Sequence, residues 1–88
     1  MTVLELLDKL KQTPNKTLQI QLAGERLDLL KVEQNDNNVE LHFGRGKSIN
    51  ALELGRLLLT CPNKSICLVG SHKYYNVLFG IIDDIIYV

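Results

Sequence analysis

A short basic loop carries the strongest chemical signal in this sequence. The segment Gly44-Arg45-Gly46-Lys47-Ser48 lies between an expected strand and an expected helix, where nucleotide hydrolases place their phosphate-binding loop. That motif also requires a glycine five positions before Gly46, and residue 41 is leucine. We therefore interpret the segment as a linker. Its Arg45 and Lys47 are candidates for contacting an anion or an acidic partner near the start of the following helix.

The other residues capable of chemistry are isolated from one another in the sequence. His42 falls on the polar face of a predicted strand and His72 falls in a turn, with no cysteine or carboxylate at a recognisable metal-ligand spacing. Cys61 and Cys67 are interpreted as buried free thiols, and Asp83-Asp84 as turn residues. We expect no catalytic residue, no cofactor and no metal site, and a protein that is not an enzyme.

The charge balance argues against a polyanionic partner. Ten acidic and ten basic residues give zero net charge, so the overall field favours neither nucleic acid nor an anionic membrane. Nucleic-acid binding is retained as the alternative function because a few basic residues lie near tyrosines. The residues it would use are Arg45, Lys47, Lys64 and Lys73.

The composition favours a cytoplasmic protein. Met1 leads directly into helix signals without a signal peptide, and two cysteines do not make a disulfide framework. No apolar run approaches the ~20 residues that a membrane-spanning helix needs.

One stretch of sequence occurs twice, once in each half of the chain. Residues 4–16 and 52–64 are identical at seven of thirteen positions, where chance would give about one. We interpret this as an internal duplication with units 1–44 and 45–88. Because about 44 residues bury too little surface to be stable alone, the units are expected to share one core in a single domain, 1–88.

Each unit is predicted to contain one helix and three strands. Thr2 with Glu5, and Asn50 with Glu53, have the spacing of a capping box. Apolar alternation then predicts three strands in each unit, with a β-bulge where the inward phase slips between Leu29 and Leu30. The predicted strands cover 17–22, 26–33, 39–43, 65–70, 73–82 and 85–88. The expected fold class is α+β, an αβββ-αβββ chain whose strands form one antiparallel six-stranded sheet or two three-stranded sheets related by a pseudo-two-fold, packed against two helices.

The two units differ most on the outer face of their strands. The first unit has polar side chains there, namely Gln19, Gln21, Arg26, Asp28, Lys31, Glu33, Asn38 and Glu40. The second has mostly apolar ones, more than a soluble monomer usually exposes. The chain's own first unit, a second copy in a homodimer, or a different protein could cover this face. The candidate interaction residues are Val69, Tyr74, Phe79, Ile81, Ile85 and Tyr87.

The second helix is also more apolar than the first. Leu57 and Leu59 replace Lys9 and Lys11, which predicts a more deeply buried helix. Gly55 replaces a leucine and would let another backbone or an aromatic ring approach closely.

The first twenty residues, with Thr2-Val3-x-Glu5-Leu6-Leu7-x-x-Leu10, a proline at 14 and then a strand, resemble the start of small uncharacterised bacteriophage and mobile-element proteins. The resemblance implies an accessory or inhibitor protein that acts by binding. Together with the apolar second unit, it predicts a non-enzymatic protein that binds itself or another protein.

Overall fold

The computed structural model describes residues 1–11, 19–22, 25–70, 73–75, 80–82 and 85–87. It belongs to the α+β class, as predicted, and contains two helices and a mixed sheet. The helices are α1 (Val3–Leu10) and α2 (Ala51–Leu59). The strands are β1 (Gln19–Leu22), β2 (Glu25–Gln34), β3 (Asn38–Gly44), β4 (Ser65–Gly70), β5 (Lys73–Tyr75), β6 (Gly80–Ile82) and β7 (Ile85–Tyr87).

Both helices begin at the predicted caps. The Thr2 hydroxyl accepts the Glu5 N–H at 3.4 Å, and the Glu5 carboxylate accepts the Thr2 N–H at 3.3 Å. At α2 the Asn50 side-chain oxygen accepts the Glu53 N–H at 2.8 Å. These bonds satisfy backbone donors that a helix start leaves without an intrahelical acceptor.

The prediction of a purely antiparallel sheet is wrong. The strand order is β5-β4-β3-β2-β1-β7-β6, and the pairs β3·β4 and β1·β7 are parallel. The chain leaves β3, passes through α2 and re-enters the sheet as β4, and such a crossover returns the next strand in the same direction. The stretch predicted as one strand, 73–82, contains β5 and β6, which lie at the two ends of the strand order.

The sheet is curled, because its two edge strands are close in sequence. Tyr75 ends β5 and Gly80 begins β6, so their Cα atoms can be at most about 18 Å apart. Six strand spacings in a flat sheet would separate the same edges by about 29 Å. The sheet therefore curves, so that its edge strands β5 and β6 lie closer together than in a flat sheet.

The predicted β-bulge is confirmed at Leu30. Pairing of β2 with β3 shifts register between Leu29 and Lys31, and Leu29 stays in the core while Leu30 lies against the loop after β3. A Cβ atom added at Gly44 would lie 2.9 Å from Leu30 Cδ1, and one at Gly46 would lie 3.2 Å from Leu30 Cδ2. The two glycines thus make room for Leu30, which gives the 44–48 linker a packing explanation.

Corresponding hairpins in the two halves share one register. The β1–β2 pairs and the β4–β5 pairs are related by the same offset that relates residues 4–16 to residues 52–64. In the first hairpin they are Ile20↔Leu27, Gln21↔Arg26 and Leu22↔Glu25. In the second they are Leu68↔Tyr75, Val69↔Tyr74 and Gly70↔Lys73.

Side chains from both helices and from β1–β4 form one hydrophobic core. Each helix contributes three of them, and the strand residues alternate between core and outer face as the strand period requires. The helical members are Val3, Leu6, Leu10, Ala51, Leu54 and Leu58, and the strand members are Ile20, Leu27, Leu29, Val39, Leu41, Phe43, Ile66 and Leu68. Neither described helix has the length and apolar character needed to cross a membrane.

Candidate functional site

An open groove runs between α1 and α2 and encloses about 520 Å³. That volume falls in the range typical of ligand-binding clefts. Most of the lining is apolar, with three charged side chains. The lining residues are Leu4, Leu7, Asp8, Leu10, Lys11, Ala51, Leu52, Gly55, Arg56 and Leu59.

The groove exposes leucines that the helical periodicity does not place in the core. Leu4 is 61% exposed, Leu52 46% and Leu59 73%. Their own helices bury other positions, so these side chains form a second apolar stripe facing solvent. A helix with one wet face would carry polar residues there.

The expectation that α2 is more deeply buried is wrong. It buries Ala51, Leu54 and Leu58, the same number of residues as α1. The additional leucines of α2 therefore lie on the surface. Leu57, 39% exposed, is outside the groove and Leu59 is inside it.

Gly55 leaves open space on the α2 wall of the groove. A Cβ atom added at this position would meet no described atom within 4 Å outside the adjoining turns of α2. The close approach expected at Gly55 therefore has room, although the described residues place nothing there. The corresponding position in the first copy of the repeat is Leu7, whose side chain is half-buried and contacts the core.

Four lining residues of each wall occupy corresponding positions of the repeated sequence. Leu4 corresponds to a leucine, whereas the residues of the other three pairs differ from each other in size or charge. The pairs are Leu4 with Leu52, Leu7 with Gly55, Asp8 with Arg56, and Lys11 with Leu59.

The three charged residues that line the groove, which we call its rim, have no side-chain partner among the described residues. Asp8, Lys11 and Arg56 are exposed, and their side chains make no hydrogen bond or ion pair with any residue that the structure describes. Their charges can therefore contribute to the recognition of a molecule in the groove.

Apart from the groove, a cluster of polar side chains lies on β2 and β3. His42 Nε2 is 3.0 Å from Glu40 Oε1 and 3.4 Å from Glu33 Oε2. Glu33 also pairs with Lys31 at 2.8 Å. Hydrogen bonding to the Lys31 ammonium lowers the pKa of Glu33, and the same bond raises the pKa of Lys31. The prediction that no carboxylate lies at a metal-ligand spacing from His42 is therefore wrong.

Strand geometry explains why these side chains meet. Residues 40 and 42 share a face because strand side chains alternate, and hairpin register sets Glu33 opposite Glu40. Glu40, expected on a wet face, is only 7% exposed, since β3 has neighbours on both sides in the sheet.

The Glu33–Glu40–His42 cluster has the ligand types of a divalent metal site, with its three ligand atoms within 4.8 Å of one another. The His42 nitrogen, however, is at hydrogen-bond distance from both carboxylates. We interpret the cluster as a polar network that satisfies the buried Glu40 carboxylate.

The candidate interaction residues of the second unit fall on two strand pairs. Val69, half-buried on β4, pairs with Tyr74 on β5 at one end of the strand order. Ile81, Ile85 and Tyr87 lie on β6 and β7 at the other end. Phe79 lies outside the described residues.

Backbone pairing places the β6 and β7 residues in two different rows. Ile85 and Tyr87 pair with Gln19 and Gln21 of β1, which are both half-buried. Ile81 pairs with Ile86, whose partner on β1 is the buried Ile20. A common surface formed by all these residues stays a prediction.

The proposed basic residues lie in three segments of the chain. Arg45 and Lys47 are exposed in the loop before α2, and Lys64 Nζ donates to the Asn35 carbonyl oxygen at 2.6 Å. Lys73 lies on β5. Arg45 and Lys47 precede α2 in the chain. The Asn50 side chain already accepts a backbone N–H at the start of that helix.

Of the remaining candidates, Cys67 is a buried thiol outside any disulfide, as predicted, whereas the prediction that Cys61 is buried is wrong, because its side chain is only half-buried. His72 and Asp83-Asp84 lie outside the described residues. Comparison with protein-family models, curated proteins and solved structures found no match.

Proposed function

We propose that this chain acts by binding a protein, without catalysis, and that the groove between α1 and α2 is its contact surface. The observation that carries the proposal is the exposure of Leu4, Leu52 and Leu59 around one groove. Removing large apolar side chains from water is the dominant favourable term in most protein association.

The shape of the groove supports a protein partner. Two helices with an apolar channel between them resemble the grooves that receive the apolar face of another helix. Charged side chains at the rim of such a channel supply orientation more than affinity. Asp8, Lys11 and Arg56 are placed for that role.

The internal duplication is part of the proposal. It is supported by the repeated sequence, by the hairpins that share a register, and by helix caps at the corresponding positions Thr2 and Asn50. On this view the groove lies where the helices of the two units meet. The resemblance of the first twenty residues adds the proposal of a cytoplasmic accessory or inhibitor protein of phage type.

Affinity capture from a lysate of the native host tests the function. Leu59→Asp places a charge in the groove, whereas Leu57→Asp places the same charge on α2 outside it. We expect Leu59→Asp to lose the captured protein and Leu57→Asp to retain it, with far-UV circular dichroism showing that both variants are folded.

Two results would contradict this assignment. If Leu59→Asp and the wild-type chain capture the same proteins equally, the groove is not the contact surface. If Phe79→Asp or Tyr87→Asp abolishes capture while Leu59→Asp does not, the apolar residues of the second unit's strands are the binding surface.

A further inference from the structure

We propose that the molecule that occupies the groove is a second copy of this chain, in a two-fold dimer that sets α1 of each copy against α2 of the other. The inference rests on the proposed function and names the partner. It concerns the helical groove, and not the strands of the second unit.

Shape complementarity is the first argument. Leu7 and Gly55 occupy corresponding positions on the two walls, one with a branched side chain and the other with none. A Cβ atom placed on Gly55 would have no described atom within 4 Å outside the adjoining turns of α2, so the space in front of this residue is open. When α1 lies against α2 of the second copy, Leu7 of each copy comes opposite Gly55 of the other. Each contact between a leucine and a glycine then occurs twice, because in a two-fold interface the same pair of residues meets at two symmetry-related places.

Charge complementarity is the second argument. Asp8 and Arg56 also occupy corresponding positions, and they carry opposite charges. Setting α1 against α2 brings Asp8 towards Arg56 of the second copy, again twice. Setting like helices together would bring Asp8 to Asp8 and Arg56 to Arg56, which is repulsive. The charges therefore select the α1-against-α2 arrangement.

The mixed signs of the rim favour a second copy over a single foreign helix. A groove adapted to an acidic helix would carry cations alone, and one adapted to a basic helix would carry anions alone. Here one wall has Asp8 and Lys11 and the other has Arg56. Of these charges, Asp8 and Arg56 occupy corresponding positions and are complementary between two copies, whereas Lys11 corresponds to the uncharged Leu59.

The size of the helices sets the expected strength. Helices of eight and nine residues are about 12 and 14 Å long, and packed helices are about 10 Å apart. Such a two-helix layer offers less than the roughly 800 Å² per partner of a stable interface. The dimer is therefore weak, with a dissociation constant in the micromolar range or above.

Sedimentation equilibrium of the full chain, from low micromolar to millimolar concentration, tests the proposal. We expect a reversible monomer–dimer equilibrium for the wild-type chain. Asp8→Arg and Arg56→Asp should each weaken the dimer by about tenfold or more, because each change brings like charges together twice. The double variant Asp8→Arg/Arg56→Asp should restore dimerisation.

Gly55→Leu tests the shape argument separately. Filling the open space should weaken dimerisation while leaving the monomer folded, since a Cβ atom at residue 55 lies more than 4 Å from every described atom outside the adjoining turns of α2. Leu57→Lys is the matched control outside the groove and should leave the equilibrium unchanged.

The outcomes separate this inference from the proposed function. A wild-type chain that stays monomeric at millimolar concentration overturns the dimer, as does a charge-swapped double variant that fails to recover. If that monomer still captures a host protein through Leu59, the proposed function stands and only the second copy is excluded as the partner. Loss of both dimer and Leu59-dependent capture overturns both.

Discussion

Leu7 and Gly55 line the same groove from corresponding positions of the repeat, and only Leu7 has a side chain to fill it. The groove is therefore open at a position where the two occurrences of the repeated sequence differ in side-chain size. Had residue 55 been leucine, the two walls would match there and the channel would be shallower.

Gly55→Ala is expected to stabilise the monomer. Glycine in a helix interior is less favourable than alanine by about 1 kcal/mol, and the added methyl group meets no atom within 4 Å. Urea unfolding at low micromolar concentration should show the gain. Gly44→Ala is the control and should not give this gain, because its Cβ atom would lie only 2.9 Å from Leu30 Cδ1. Destabilisation by Gly55→Ala would show that the space is filled.

Asn50→Ala is expected to destabilise the protein by about 1 kcal/mol, because the Glu53 N–H loses its acceptor. Thr2→Ala should cost less, since the Thr2 hydroxyl accepts the Glu5 N–H at 3.4 Å whereas the Asn50 bond is 2.8 Å. Chemical denaturation measures both. Equal stability of Asn50→Ala and wild type would contradict the assigned cap.

His42→Ala should destabilise the fold by roughly 1–3 kcal/mol, because the buried Glu40 carboxylate loses the imidazole that bonds to it. His42→Gln retains a side-chain donor and should lose less. Unfolding in urea compares the two variants. If they are equally stable, Glu40 does not depend on a donor at residue 42.

The Lys31–Glu33 pair gives a pH dependence. The pKa of Glu33 is lowered from its usual value of 4.5, so the pair's contribution to stability is present above pH 4.5 and lost as the pH falls through the lowered pKa. The pKa of Lys31 is raised from 10.5, so its contribution is present below pH 10.5 and lost as the pH rises through the raised pKa.

Glu33→Gln checks this dependence by thermal unfolding. The difference in melting temperature between wild type and variant should be larger near neutral pH than at about pH 3. It should also shrink at high salt, because both side chains are exposed. A difference independent of both pH and salt would contradict an electrostatic origin.

The nucleic-acid alternative predicts an affinity that falls steeply with salt and weakens in Lys47→Glu and Lys64→Glu. Under the proposed function we expect no mobility shift of DNA or RNA even at low ionic strength. A shift that disappears in both variants would establish the alternative.

Local features were predictable from sequence because neighbouring residues determine them. The spacing of Thr2 with Glu5 predicted a cap, and the slipped apolar phase at Leu29 and Leu30 predicted the bulge. Alternation did not predict the parallel pairing of β3 with β4, because its period is the same whether the neighbouring strand is parallel or antiparallel. The helix predicted between these strands was the signal for a parallel crossover.

The groove and the polar cluster depend on contacts between distant segments. The replacement of Lys9 and Lys11 by Leu57 and Leu59 predicted a more deeply buried α2, whereas both leucines are exposed. Glu33 reaches His42 through hairpin register, which a bulge at Leu30 shifts by one residue. The i, i+2 spacing of Glu40 and His42 was the one signal in the sequence that could have revealed the cluster.

An isotope-filtered NMR experiment on a mixture of labelled and unlabelled chains tests the central claim most directly. The account predicts magnetisation transfer between Leu7 methyl groups of one copy and Gly55 α-protons of the other, at millimolar concentration. It also predicts loss of this transfer in Asp8→Arg and its return in the charge-swapped double variant. Intermolecular transfer confined to Ile85 and Tyr87, or none at all, would contradict the groove as the site where two chains meet.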